Sequence, residues 1–191
     1  MATKRLTYSS QTPIVTLEMS AEQSVDHIEV PAGESRFHIL QNDSGNQLQH
    51  YVFHLRHPGS TVWVTGQVEV AGESTPSLTT DIIHHVPETR AETLIRTLSA
   101  EQAAPRYQGL IHILPGAQNC ESYLNHHSLL LGERAKSWTL PSLEIEADQV
   151  KCSHAATIRT LTELDLFYLR SRGLDRASAE KLLIEAFLAE Q

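Results

Sequence analysis

The chain is poor in cysteine, poor in aromatics and without any long apolar run. Its 191 residues hold only two cysteines, Cys120 and Cys152, too few for a disulfide framework. A reducing, cytoplasmic compartment fits that usage. No stretch approaches the ~20 consecutive apolar residues of a membrane span. Residues 1–10 are basic but lack an apolar run behind them, so no secretory signal is expected. Basic residues are also in deficit: 15 Lys and Arg face 23 Asp and Glu, a net charge of −8. That balance argues against a nucleic-acid binder, which needs a basic face to displace counterions. It equally disfavours attachment to an anionic membrane. There is no Gly-rich phosphate loop and no defensible Ser-His-Asp order, so any ATP hydrolysis must come from a partner.

What the chain does have is alternation. Apolar residues recur with period two in Tyr51/Phe53/Leu55, Val62/Val64, Val68/Val70, Ile111/Ile113 (with Leu110, His112 and Leu114 between and around them) and Leu143/Ile145. Period two predicts half-buried or sandwiched strands. Turn signals separate them at Pro31-Ala-Gly33, Asp43-Ser-Gly45, His57-Pro-Gly59, Ala71-Gly-Glu-Ser74 and Leu114-Pro-Gly116. Many short strands without intervening helices give a mainly β protein: a sandwich, a barrel or a β-helix. No clean internal repeat is visible, which disfavours a regular solenoid. Residues 87–105 read either as helix by propensity or as a strand around Thr93–Leu98.

The last thirty residues change period. Thr160 or Thr162 can cap a helix, with Glu163 or Asp165 three positions on. Leu161, Leu164, Tyr168 and Leu169 form its expected apolar stripe. Gly173 is placed to end it in left-handed geometry. Asp175 caps a second helix, with Ala179, Leu182, Leu183, Ala186 and Phe187 on its expected inner face. Such a hairpin is too small to fold alone and must pack on the β body or on a partner.

Among chemistry-bearing residues, Cys152 and His154 stand out. At spacing i, i+2 on a strand they share a face. A thiolate and a neutral imidazole both suit iron or zinc, yet two ligands fall short of the four of a structural site. The competing reading is a buried cysteine beside a hydrogen-bonded histidine. The 11 histidines include His50, His54 and His57 and the adjacent pairs His84-His85 and His126-His127. Neighbours on a strand point to opposite faces, so each pair offers one ligand per face. A cupin-like metal barrel is the enzymatic alternative, with Val30-Pro-Ala-Gly33 and His38 as its faint sign. Glu144 and Glu146 share a face without a visible partner base and read as solvated.

Several motifs, in order, resemble the SufB/SufD family of iron–sulfur cluster assembly scaffolds. Lys151-Cys-Ser-His154 and Phe167-Tyr-Leu-Arg-Ser-Arg-Gly173 are similar to that family's C-terminal signature. Gly109-Leu-Ile-His-Ile-Leu-Pro-Gly-Ala-Gln118, Asn125-His-His-Ser-Leu-Leu-Leu-Gly132, Pro141-Ser-Leu-Glu-Ile145 and His84-His85 with Thr89 extend the likeness over residues 80–190. The resemblance implies a right-handed parallel β-helix over 1–158 with a C-terminal α-helical hairpin over 159–191. It tips residues 93–98 to strand and leaves 99–106 as a loop. It also implies a non-catalytic scaffold that holds a transient iron–sulfur cluster, with Cys152 and His154 at the matching ligand positions. Its implied partners are a SufC-like ABC ATPase, met by Phe167, Tyr168, Leu169, Arg170 and Gly173, and a SufB-like subunit or a second copy, met through the strand at 150–154. Three departures make it a compact, SufD-leaning relative: Ala155 and Arg159 stand at or near family glycines, Ala135 stands where SufB-type subunits carry cysteine, and the chain is short. A truncated paralogue that keeps only the interaction surface is the remaining alternative.

Overall fold

A strand with one apolar face must bury it, and here consecutive strands do so by alternating between two facing sheets. The computed structural model describes residues 4–8, 13–18, 24–41 and 46–189; the turn expected at 43–45 lies outside them. Twelve strands are described: β1 (Lys4–Tyr8), β2 (Pro13–Glu18), β3 (Ser24–Val30), β4 (Glu34–Gln41), β5 (Leu48–Leu55), β6 (Thr61–Val70), β7 (Ser77–His84), β8 (Arg90–Ala100), β9 (Arg106–Ile113), β10 (Glu121–Leu131), β11 (Trp138–Ile145) and β12 (Lys151–Thr160). One sheet runs β1-β2-β4-β6-β8-β10-β12 and the other β11-β9-β7-β5-β3. Every pairing is parallel except the β1–β2 hairpin. The chain is therefore a two-sheet β-solenoid. In the larger sheet Thr61, Arg90, Glu121 and Lys151 stand in one row across β6, β8, β10 and β12, so a coil takes 29–31 residues.

The inward residues of successive coils stack on one another. Tyr51, Phe53, Leu55, Val62, Val64, Ile82, Ile95, Ile111, Ile113 and Leu124 are all fully buried. The runs Val62/Val64 and Val68/Val70 belong to one strand: β6 continues through Gly66. A Cβ there would lie 2.6 Å from Ile95 Cδ1, so glycine lets β6 and the next coil approach without breaking the strand. Gly33, Gly59 and Gly72 adopt φ of 85°, 75° and 72° in the turns that the sequence marks. The expected loop from residue 99 is shorter than read, because β8 runs to Ala100.

Two helices follow, α1 (Glu163–Ser171) and α2 (Arg176–Ala189). Thr162 and Asp165 close a reciprocal capping box on α1, and the Ser178 amide donates to Asp175 at the start of α2. Gly173, with φ of 96°, turns the chain between them. The buried faces differ from those expected. Leu166, not Leu164 or Tyr168, is the buried residue of α1, while Leu182 and Ala186 are exposed on α2. Both helices are apolar on several sides, so spacing alone could not choose the inner one. On the outer face of the larger sheet, Gln67 Nε2 donates to the Leu188 carbonyl at 2.9 Å and the Arg96 guanidinium lies over Phe187.

Candidate functional site

Both sheets end on the same side of the solenoid, at β11 and β12, and each of these strands is paired on one side only. Among the described residues no further strand pairs beyond them. Register shows the consequence. Ile113 is fully buried, while Ile145, its neighbour on β11, is 42% exposed. Ser128 is buried, while Ile158, its neighbour on β12, is 46% exposed. On the outer face of β11, Trp138 and Leu140 are 58% and 62% exposed. Unpaired backbone and uncovered apolar side chains thus coincide at one end, the combination that sheets normally protect.

Cys152 and His154 lie on this end. β12 aligns them with the buried inward residues Ser122 and Leu124 of β10, so both point to the inner face, as the i, i+2 spacing requires. Cys152 is half-buried and packs against the core, whereas His154 is exposed. Burial pushes the Cys152 thiol up to about 11, because the low-dielectric surroundings disfavour the thiolate. At neutral pH it is a thiol, and a soft cation must displace its proton to use it. Among the described residues no three His, Cys, Asp or Glu side chains gather to hold a metal ion. One chain therefore supplies a pair of ligands at this end.

The other cysteine is set differently. Cys120 is fully buried, with its sulfur 3.1 Å from Thr89 Oγ1, which also lies 2.7 Å from His84 Nδ1 and 3.3 Å from the Val86 carbonyl. Beside it, at the start of β10 and β12, a cleft of about 320 Å³ is lined by Asn119, Cys120, Glu121, Gln149, Val150 and Lys151. Ala135, the position of the missing SufB-type cysteine, is buried between β10 and β11. Ala155 and Arg159 are exposed on the outer face of β12, so replacing the family glycines there meets no packing.

The hairpin residues singled out in the sequence are distributed over its surface. Phe167 and Tyr168 are 67% and 61% exposed, and Leu164, which was expected inside, is 79% exposed. Leu169 is half-buried and Arg170 is exposed. Arg172 stacks over Tyr168. The two glutamates read as lacking a base have one: His112 Nε2 is 2.8 Å from Glu146 and its Nδ1 is 3.9 Å from Glu144. All three side chains are outward-facing, and the group is a surface ion-pair cluster. The sequence did not mark Trp138, Leu140 or Ile158 as functional. Their signal, apolar residues on both faces of the last strands, becomes readable only once the strand order places β11 and β12 at the ends of their sheets.

A parallel two-sheet solenoid with a closed interior leaves no barrel for a cupin-type centre. Fold and site together define instead a β-solenoid of the kind that presents an open sheet end and an appended helical hairpin. The family model described as "SUF system FeS cluster assembly, SufBD core domain" matches residues 15–187, and the chain belongs to that family. The match reaches well upstream of the motifs at 80–190. The chain is 38% identical over 97 residues to the iron–sulfur cluster assembly protein SufD of Escherichia coli (strain K12), covering 51% of this chain and 23% of that protein. It is 36% identical over 121 residues to an iron–sulfur cluster assembly SufBD family protein of Synechocystis, covering 63% and 27%. It is 33% identical over 118 residues to SufD of Bacillus subtilis (strain 168), covering 62% and 27%. The aligned part is about a quarter of each relative's length. No described helix is long and apolar enough to cross a membrane.

Proposed function

We propose that this chain is a non-catalytic scaffold in iron–sulfur cluster assembly that pairs through the open end of its solenoid. One observation carries the reading: the two edge strands β11 and β12 stop together, uncovered, with Cys152 and His154 on the inner face of β12. Edges of this kind invite strand pairing with a second sheet. The partner is a SufB-like subunit or a second copy of this chain. Because one chain offers two ligands, a nascent cluster sits at the interface between subunits and takes its remaining ligands from the partner. The cluster is cargo, built there and passed on. The exposed Leu164, Phe167 and Tyr168 on α1, with Arg170 and the turn at Gly173, dock a SufC-like ABC ATPase, which supplies the nucleotide hydrolysis that this sequence lacks.

The decisive experiment joins assembly to cluster loading. Light scattering at micromolar concentration, alone and with a SufB-like subunit, is expected to show a dimer, and Leu140→Lys/Ile158→Lys to abolish it. Anaerobic reconstitution of the dimer with iron and sulfide should then give visible absorbance that Cys152→Ser removes and Cys120→Ser keeps. A strict monomer in both mixtures ends the pairing reading. A dimer whose absorbance ignores Cys152→Ser, or that shows none, leaves the interaction-only paralogue in its place.

A further inference from the structure

Away from the open end, the outer face of the five-stranded sheet carries a ladder of imidazoles. His27 of β3, His54 of β5 and His85 just after β7 come from three successive coils and point outward together. His27 Nδ1 is 3.0 Å from His54 Nε2, and His54 Nδ1 is 3.0 Å from His85 Nε2. The His27 and His54 rings stack with centroids 5.3 Å apart and an interplanar angle of 10°; His54 and His85 lie 5.2 Å apart, tilted by 41°. The central ring is 8% exposed and the outer two are accessible. Beside them the Glu29 carboxylate is held by Arg56 at 3.1 Å.

We propose that this ladder captures one borderline divalent transition-metal ion, with His54 and one neighbouring imidazole, His27 or His85, as cis ligands. Imidazole nitrogens bind such ions at ~2.0–2.1 Å, which places two of them about 2.9–3.4 Å apart for right-angled to tetrahedral geometry. The 3.0 Å gaps already have that spacing, so turning each ring until its nitrogen points about 40° off the N···N line makes a shared hydrogen bond into a chelate. Among the described residues no three ligands gather at one point, so water fills the other positions, as in an accessible loading site and unlike a closed structural one. Burial first, then the Arg56 charge, lower the proton affinity of His54 and His85, so both rings are neutral and ligand-competent at pH 7. Neutral His54 keeps one N–H, which leaves one bare nitrogen, so the ladder binds a single ion at a time. The site is independent of Cys152 and of pairing.

The test uses full-length, tag-free protein and zinc(II) in competition with a chromogenic chelator. Wild type should take up one zinc per chain. His54→Gln should weaken binding at least about tenfold. So should His27→Gln/His85→Gln, which leaves the buried central ring in place. His57→Gln, an exposed imidazole off the ladder, should bind as wild type does. Copper(II) loaded into the wild type should show coupling to two imidazole nitrogens in its electron paramagnetic resonance spectrum. Wild-type affinity in both ladder variants overturns the proposal, as does a wild type that takes up no zinc at about 1 mM.

Discussion

The middle coils and the last coil are built on one register and meet opposite fates. β10 and β12 pair residue for residue, and their inward positions fall in the same rows. In β10 Ser122, Leu124, His126 and Ser128 are sealed; in β12 all the inward positions but Cys152 are exposed. The difference is a missing neighbour, because a repeat in a solenoid buries its face only against the next one. The chemistry follows the geometry. His126, inward on β10, is buried and loses most of its basicity, while His154, inward on β12, stands open to a partner. The same contrast separates a sealed thiol, Cys120, from a half-open one, Cys152. The sealed middle coils and the open end can therefore be perturbed separately.

The largest expected effect comes from acid. Burial, helped by His127, lowers His126 to about 3 from 6.5, and burial with His85 lowers His84 to about 4. Both folded-state values lie below the unfolded one. The stability these neutral rings contribute is thus fully present above about pH 6.5 and is lost as pH falls through the folded values. Each should remove up to about 1.4 kcal/mol per pH unit in that window. Urea unfolding at pH 7.5 and pH 5 should show the fall, and His126→Leu should flatten it in part, with His84 and the less strongly lowered His38, His54 and His85 supplying the rest. A slope unchanged by His126→Leu and by His84→Leu would place acid sensitivity outside the sealed coils.

Next in size is a matched pair of truncations. Ile95 is fully buried and Ile158 is 46% exposed. Ile95→Ala should cost about 2–5 kcal/mol, as for other buried aliphatics. Ile158→Ala should cost less than about 1 kcal/mol in the isolated chain, because its side chain is already half in water. In complex with a partner the second value should rise. Equal losses in the isolated chain would mean that the end is covered. Smaller still is the hairpin: Phe167→Ala and Tyr168→Ala should each stay within about 0.5 kcal/mol of wild type, being exposed. ATPase capture in a pull-down should nevertheless fall in at least one of them.

The sequence carried the middle coils better than the end. Period two located Tyr51–Leu55 and Ile111–Ile113 because a coil above and below seals each inward residue. Glycine located the turns where positive φ is needed, and Thr162 with Asp165 located the start of α1. What failed depended on contacts far along the chain. Gly66 interrupts the apolar alternation of β6, and only Ile95, a coil away, shows why it is there. The inner side of α1 passed from Leu164 and Tyr168 to Leu166, since a helix with apolar residues all round does not announce which side meets the sheet. The histidine ladder joins residues 27 and 31 positions apart, a separation that no local pattern exposes. Cys152 and His154 were placed on one face by spacing alone, but their position on the last, uncovered strand came from topology.

The thiols give the finest probe of the two regions, because labelling need not change stability at all. Both cysteines are free. Alkylation by iodoacetamide requires a thiolate and access. Cys152 has access, but its value of about 11 leaves little thiolate at pH 7, so its labelling should be slow there and should accelerate with each unit up to that value. Cys120 is fully buried and should react only when the middle coils open, at a rate tied to global unfolding. Mass spectrometry of peptides after timed labelling separates the two. A SufB-like subunit or a second copy seated on β12 should then protect Cys152 and leave Cys120 as it was. Labelling of Cys120 as fast as Cys152 would erase the distinction between sealed coil and open end. Unchanged labelling of Cys152 in a demonstrated complex would move the partner to another face of the solenoid and take the cluster ligands with it.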